Sequence, residues 1–291
     1  SKSNNRQLPT SISFITAGAG GLLGWVIIHP FNTLSVRKNL QSNNNKIKIN
    51  NFKGFLSLYD GLSAGLIRQL FYATSRFGFY ELLRDQISKY KDIDFITRLS
   101  VGVISGGIAA LISCPAEVTL VRLSNDANQP INERRNYKGV TNAFIRIINE
   151  EGPLTFFRGC GPFIQRAMVV GAVQVGTYDQ LKSYFTNKLK NYPTIQYKDT
   201  LSVFFSAMAS GLCYSIITMP LETTKNRMAS QKIDQLTGKY PYTSVFQTIS
   251  KIIRNEGLLK LWSGFIPYYI RCGGHTVAMF MFVEWLRNQY Y

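Results

Sequence analysis

The sequence predicts an all-α membrane protein with six transmembrane helices in three tandem helix hairpins, and three observations lead there. The first is where charge is missing. No Asp, Glu, Lys or Arg occurs from Gln7 to Val36, from Leu99 to Ala116 or from Leu201 to Leu221. Mostly apolar stretches of about 18 or more residues can cross the hydrocarbon core of a bilayer. Buried helices of a soluble protein explain one such stretch better than three. The second observation is a spacing. Proline is followed seven residues later by arginine in Pro30/Arg37, Pro115/Arg122 and Pro220/Arg227. The third is a longer spacing. An aromatic–x–glycine (Tyr59/Gly61, Phe157/Gly159, Trp262/Gly264) leads seven residues on to Arg68, Arg166 and Arg271. Thirteen further comes an acid (Glu81, Asp179, Glu284), and three after that a base (Arg84, Lys182, Arg287). Spacing reproduced three times marks copies of one unit. The 291 residues therefore read as a single transmembrane domain, 1–291, with repeat one at 11–90, repeat two at 95–189 and repeat three at 198–291.

Each repeat opens with a helix of small and apolar residues, Ser11–Ile28, Leu99–Cys114 and Leu201–Met219, that runs into Pro30, Pro115 or Pro220. Proline removes an intrahelical hydrogen bond and clashes with the preceding turn, so a kink or an end is expected there. Within a membrane such sites are tolerated where neighbours satisfy the freed backbone. Small residues four apart (Gly20/Gly24, Gly102/Gly106, Ala207/Gly211) predict close helix approach. The second helices carry the arginines and fall at about 62–89, 160–188 and 265–289.

Between the two helices of repeats two and three lies a polar linker. Phe144, Ile147 and Ile148 precede Glu151-Gly152; Val245, Phe246, Ile249, Ile252 and Ile253 precede Glu256-Gly257. Apolar residues three and four apart predict a short amphipathic helix on the membrane surface. Repeat one has no room for one. Pro30 to Gly54 is 24 residues, against 37 for Pro115–Gly152 and for Pro220–Gly257.

A net charge of +17 fits a nucleic-acid binder or a protein among anionic lipids. The bases sit at helix ends and in linkers beside apolar stretches, without the aromatic-laced patch of a single-strand binder, so membrane is favoured and nucleic acid is not. Cys114, Cys160, Cys213 and Cys272 are scattered, with no CxxC and no His at ligand spacing. They read as packed thiols, and no metal is expected. With two histidines, no phosphate loop and no nucleophile constellation, the chain reads as neither an enzyme nor a cofactor binder, and no catalytic residues are assigned. Ser1–Thr10 is short and polar, so any targeting information is expected inside the chain or in a segment removed before it.

Arginine at the bilayer midplane costs about 2.5–3.5 kcal/mol. Three at one level should face a wet cavity, where intramembrane charge is functional by default. A guanidinium is a planar fork that matches a carboxylate with two hydrogen bonds. Arg68, Tyr72 and Arg76, at four-residue steps, share one helix face, and His275 follows Arg271 at the same step. The other reading is that these arginines pair with helix-end carbonyls or with buried acids, of which the spans hold few.

The repeats carry a recurrent signature, Pro-x-acid-x-x-base-x-base followed by acid-Gly-x4-aromatic-base-Gly. Repeat three has Pro220-Leu-Glu222-Thr-Thr-Lys225-Asn-Arg227, then Glu256-Gly257 and Trp262-Ser263-Gly264. Repeat two has Pro115-Ala-Glu117-Val-Thr-Leu120-Val-Arg122, then Glu151-Gly152 and Phe157-Arg158-Gly159. Over nearly its whole length the chain resembles the mitochondrial carrier family, and its runs LSAGLIRQ, CPAEVTLVR and FIPYYIR followed by HTV are most similar to members that exchange 2-oxoglutarate for malate. The resemblance implies a six-helix, pseudo-threefold barrel in the mitochondrial inner membrane that exchanges small dicarboxylates by alternating access. It implies substrate contacts at Arg68, Tyr72, Arg76, Arg166, Gln174 and Arg271; Gln174 stands eight after Arg166 as Arg76 stands eight after Arg68. Glu81, Arg84, Asp179, Lys182, Glu284 and Arg287 resemble the family's outer gate, or else form surface pairs worth little.

The matrix gate is eroded. Repeat one reads Pro30-Phe-Asn32-Thr-Leu-Ser35-Val-Arg37, with Asn for the acid and Ser for the base, and repeat two has Leu120 for its base. Glu117, Glu222 and Lys225 remain to form it. Repeat one also has Lys53-Gly54 and Tyr59-Asp60-Gly61, with acidic Asp60 where the family's base binds cardiolipin phosphate. Bound cardiolipin is expected from the resemblance. Two functional readings stand: a dicarboxylate exchanger, and a carrier-derived structural subunit whose flattened repeat-one edge docks to a larger inner-membrane complex.

Overall fold

The computed structural model describes residues 10–41, 52–90, 94–190, 198–233 and 238–290. They are helical, with no strand among them. Six long helices carry the fold: α1 (Thr10–Leu40), α3 (Leu62–Ser88), α4 (Phe95–Asp126), α6 (Cys160–Lys190), α7 (Lys198–Ser230) and α9 (Phe265–Tyr290). Three short ones lie in the linkers, α2 (Phe52–Leu56), α5 (Val140–Glu151) and α8 (Val245–Glu256). Each long helix packs against two others in the cyclic order α1, α3, α4, α6, α7, α9 and back to α1. The ring is closed.

The second helices begin and end within two residues of the expected positions. The linker helices α5 and α8 are 12 residues each, and among the described residues the repeat-one linker has the five-residue α2. Most of its linker, residues 42–51, lies outside the described residues. By length and hydropathy, α4 and the Phe204–Ser230 part of α7 qualify as membrane spans among the described residues.

Counting the six long helices in order, the odd ones (α1, α4 and α7) open the repeats and the even ones (α3, α6 and α9) close them. The odd helices do not end at their prolines; they continue through Pro30, Pro115 and Pro220. In repeat three the backbone solution is visible. Pro220 leaves the carbonyl of Ile216 without its helical donor, and the indole N–H of Trp262 donates to it at 3.0 Å. Close helix approach also holds between α4 and α6. A methyl on Gly106 would meet the Ala167 carbonyl at 3.4 Å, and one on Gly171 the Gly102 carbonyl at 3.4 Å.

At the linker end, three buried arginines join the repeats in one repeated way. Arg37 Nε donates to the Ser124 carbonyl (2.9 Å), Arg122 Nε to Ala229 (3.0 Å) and Arg227 Nε to Asn39 (3.1 Å). Each acceptor is nine residues past the proline of the next repeat. The aromatic–x–glycine belongs to the same joint. Gly61, Gly159 and Gly264 all take φ of +82°, a region that L side chains avoid. A Cβ there would press on the neighbouring odd helix, at 3.1 Å from Leu123, 2.9 Å from the Lys225 carbonyl and 3.0 Å from Lys38.

Candidate functional site

Just above this joint the odd helices bring in two acids and one lysine. Glu117 comes from α4, and Glu222 and Lys225 come from α7; all three are buried. Lys225 bridges the acids, donating to Glu117 in a short contact and to Glu222 at 2.9 Å. The even helices then add the arginines. Arg68 Nε lies 3.3 Å from Glu117, Arg166 Nε 2.9 Å from Glu222, and Arg271 Nη2 3.7 Å from Glu222. Four cations thus surround two carboxylates. The alternative pairing with buried acids holds in this conformation: the few acids in the spans are the partners.

The aromatic neighbours fix the arginines laterally. The Arg68 guanidinium lies 4.4 Å from the centroid of Trp25, and Gly65 leaves space for that indole, since a Cβ on it would come within 2.4 Å of Trp25 Nε1. Tyr268, fully buried, accepts from Arg166 Nε at 3.2 Å, shares a hydrogen bond with Thr218 and sits 4.6 Å beneath the Arg271 guanidinium. These contacts use ring faces and single nitrogens. None of the three arginines makes a two-pronged fork with a single carboxylate among the described residues.

Repeat one contributes differently. Asn32, in the acid's place, accepts from Arg271 Nη1 at 2.9 Å. Ser35, in the base's place, turns its hydroxyl to the Gly264 carbonyl at 3.4 Å. Leu120, in the base's place of repeat two, packs with Trp25 and Leu123.

Below, the forks of the joint arginines find acids where the repeat supplies one. Arg122 grips Glu151 at 2.6 and 2.9 Å, and Arg227 grips Glu256 through both carboxylate oxygens. Burial acts to raise both carboxyl pKa values, but the Arg122 fork with Arg135 and Arg158, and the Arg227 fork with Lys260, hold them below the ordinary glutamate range. Arg37 has no such acid. It donates to the Ser57 hydroxyl (3.0 Å) and carbonyl (2.7 Å) and reaches Asp60 at 3.5 Å. Asp60 is therefore a partner of Arg37, where the sequence suggested only a lost lipid-binding base. Burial pushes its carboxyl up, Arg37 opposes this and Asp126 adds to it.

The remaining expected residues are less gathered. Tyr72 packs its ring 6.2 Å from Phe163. Arg76, one turn further along α3, is half-buried with no ion-pair partner among the described residues. At the far end Glu81 and Lys182 are exposed, and Arg84 pairs with its neighbour Asp85 at 2.9 Å. The side chains of Gln174, Asp179, Glu284 and Arg287 lie outside the described residues. His275 donates from Nε2 to the Gly21 carbonyl at 3.2 Å. Sequence reasoning missed Trp25, Asn32 and Tyr268 as arginine partners. Only Asn32 carried a signal, its position two after a proline, where the other repeats have Glu.

Six long helices close around a buried layer of four cations and two carboxylates. The model of the family described as mitochondrial carrier protein matches three times, over residues 6–91, 91–189 and 196–291. The chain is 36% identical over 300 residues to the mitochondrial 2-oxoglutarate/malate carrier protein of Caenorhabditis elegans, covering 99% of this chain and 96% of the relative. It is 35% identical to the Homo sapiens protein of that name (98% and 93% covered) and 32% identical to a mitochondrial dicarboxylate/tricarboxylate transporter of Arabidopsis thaliana (93% and 91%). The chain belongs to the mitochondrial carrier family. It is a multi-pass protein of the mitochondrial inner membrane, and a carrier by descent, not an enzyme.

Proposed function

We propose that the protein exchanges small dicarboxylates of the 2-oxoglutarate/malate type across the inner membrane by alternating access. The observation that carries this is the charge of the layer: Arg68, Arg166, Arg271 and Lys225 against Glu117 and Glu222. Two positive charges are left over in a buried setting, and a dicarboxylate brings two negative ones. The names of the relatives add the chemical class.

In this reading all six long helices span the membrane with pseudo-threefold symmetry. Arg68, Arg166 and Arg271 take the carboxylates, with Tyr72, Arg76 and Gln174 lining the approach. Glu117, Glu222 and Lys225 are the matrix gate, and Glu81, Arg84, Asp179, Lys182, Glu284 and Arg287 the outer gate. The linked matrix gate and the solvent-exposed Glu81 and Lys182 fit a state open to the outer side. Anionic lipid, cardiolipin by the family resemblance, would sit in the groove lined by Arg158, Gly159, Gly161, Tyr240 and Ser244, where α6 and α8 begin. A docked structural subunit needs packing only, and gains nothing from desolvating four cations around two acids.

The test is exchange by purified protein in liposomes preloaded with malate, followed by uptake of labelled 2-oxoglutarate. Arg166 has the most open side chain of the three, at 16% exposure. Arg166→Ala is expected to lower exchange at least about a hundredfold, the worth of a charged fork lost from a dry site. Parent protein that is folded and does not exchange, or an Arg166→Ala protein that equals it, overturns the reading.

A further inference from the structure

Resting on the exchange reading, we infer that Asn32 is a specificity-determining residue: it keeps the repeat-one corner of the matrix gate neutral, so that a substrate carboxylate can take Arg271 from it. Three corners are expected from three repeats, each with an acid two after proline and a base five after. The acid places hold Asn32, Glu117 and Glu222, and the base places Ser35, Leu120 and Lys225. One base of three survives, and it is shared between two acids. The vacant base places are filled from the even helices: Arg68 leans on Glu117, and Arg271 spans from α9 to Asn32 on α1 and to Glu222 on α7. Residues placed to hold substrate thus also close the gate.

The Asn32–Arg271 corner is incompletely satisfied. A guanidinium has only donors, so the asparagine must present its amide oxygen. Among the described residues, buried Asn32 Nδ2 then has no hydrogen-bond partner, and neither has Arg271 Nε. Asn32 is 2% exposed and Arg271 8%. Two orphaned N–H groups at one buried corner lack an acceptor, and a carboxylate has about four lone-pair sites to offer. An arriving substrate carboxylate satisfies what the amide cannot. An aspartate at position 32 would instead occupy Arg271 with its own charge and compete with substrate. The eroded corner is what leaves the arginine available. The other two corners are held by full ion pairs, Glu117 with Lys225 and Arg68 and Glu222 with Lys225 and Arg166.

The experiment uses full-length protein carrying Asn32→Asp, which is isosteric, and Asn32→Ala. In liposomes, Asn32→Asp is expected to raise the KM for malate about tenfold, by more than kcat falls, while Asn32→Ala changes KM by less than about threefold. A KM for Asn32→Asp equal to the parent's overturns the inference, because a merely structural role moves kcat or stability alone. A second arm needs no transport. In detergent without substrate, Asn32→Asp should raise Tm by about 3 °C, and Arg271→Gln should abolish that rise. A Tm that does not rise, or a rise that survives Arg271→Gln, overturns the latch. If the parent does not exchange, the dicarboxylate reading falls and the Tm arm decides the latch by itself.

Discussion

Repeat one departs from its two sisters at two levels, and the two departures are made good by different means. At the joint, the arginine seven past each proline donates to the next repeat in all three. Repeats two and three satisfy its fork with Glu151 and Glu256 at the ends of amphipathic helices. Repeat one, with a shortened linker and Lys53 in the acid's place, uses Ser57 and Asp60 from its own turn. At the gate layer no local group replaces Asn32 and Ser35; an arginine from another repeat does so. A joint that keeps one geometry is mended by whatever polar group lies near. At the buried charged layer the mending group comes from another repeat: Arg271 of α9 reaches Asn32 of α1.

The gate layer should be the more sensitive of the two levels. Glu222 faces Lys225, Arg166 and Arg271, so Glu222→Gln leaves three cations short of a charge. Removing one partner from a buried ionic cluster costs about 3–5 kcal/mol. For a chain of this size that is a fall in Tm of roughly 10 °C, readable by thermal unfolding in detergent. Glu117→Gln, with two cationic partners, should cost less. Equal losses would break the distinction between the corners. Next comes the joint. Glu151→Ala, which strands the fully buried Arg122 fork, should cost about 2–4 kcal/mol. Asp60→Ala should cost under about 1 kcal/mol, because its side chain is 40% exposed, its contact with Arg37 is 3.5 Å long and Ser57 remains to hold the fork. If Asp60→Ala proves as damaging as Glu151→Ala, repeat one was not repaired locally.

Much of this was legible before any coordinates. Period and spacing place the six long helices, because a repeated unit constrains each copy by the others, and the short linker of repeat one is read directly from 24 residues standing where its sisters have 37. That Glu117, Glu222 and Lys225 share one level follows from their distance to proline. Less legible was who pairs with whom across the ring. Spacing says that Arg271 shares a depth with Arg68 and Arg166; it does not say that Asn32 on α1 lies 2.9 Å away. Trp25 beneath Arg68 and Tyr268 beneath Arg271 are aromatic residues among many in apolar helices, and only packing singles them out. Asp60 read as the loss of a base because its gain, a hydrogen-bond distance to Arg37, is a fact of three dimensions.

The smallest expected effect sharpens the same comparison through pH, and its sign differs between the repeats. Glu151 has a folded pKa below its unfolded value, the Arg122 fork outweighing burial. Its contribution is therefore fully present above about pH 4.5, the ordinary glutamate value, and is lost as pH falls through the depressed pKa. Asp60 is shifted the other way, burial outweighing Arg37. A carboxyl whose folded pKa is raised binds its proton more readily when folded, so its contribution is greatest below about pH 3.9 and declines as pH rises through the raised value. Measured as Tm between pH 3 and 6, Glu151→Gln should flatten the loss of stability on the acid side, whereas Asp60→Asn should steepen it by removing the opposing slope. The two variants bent in the same direction would mean that the two joints hold their arginines by the same electrostatics, and that the repair in repeat one is a copy of its sisters' contact and not a substitute for it.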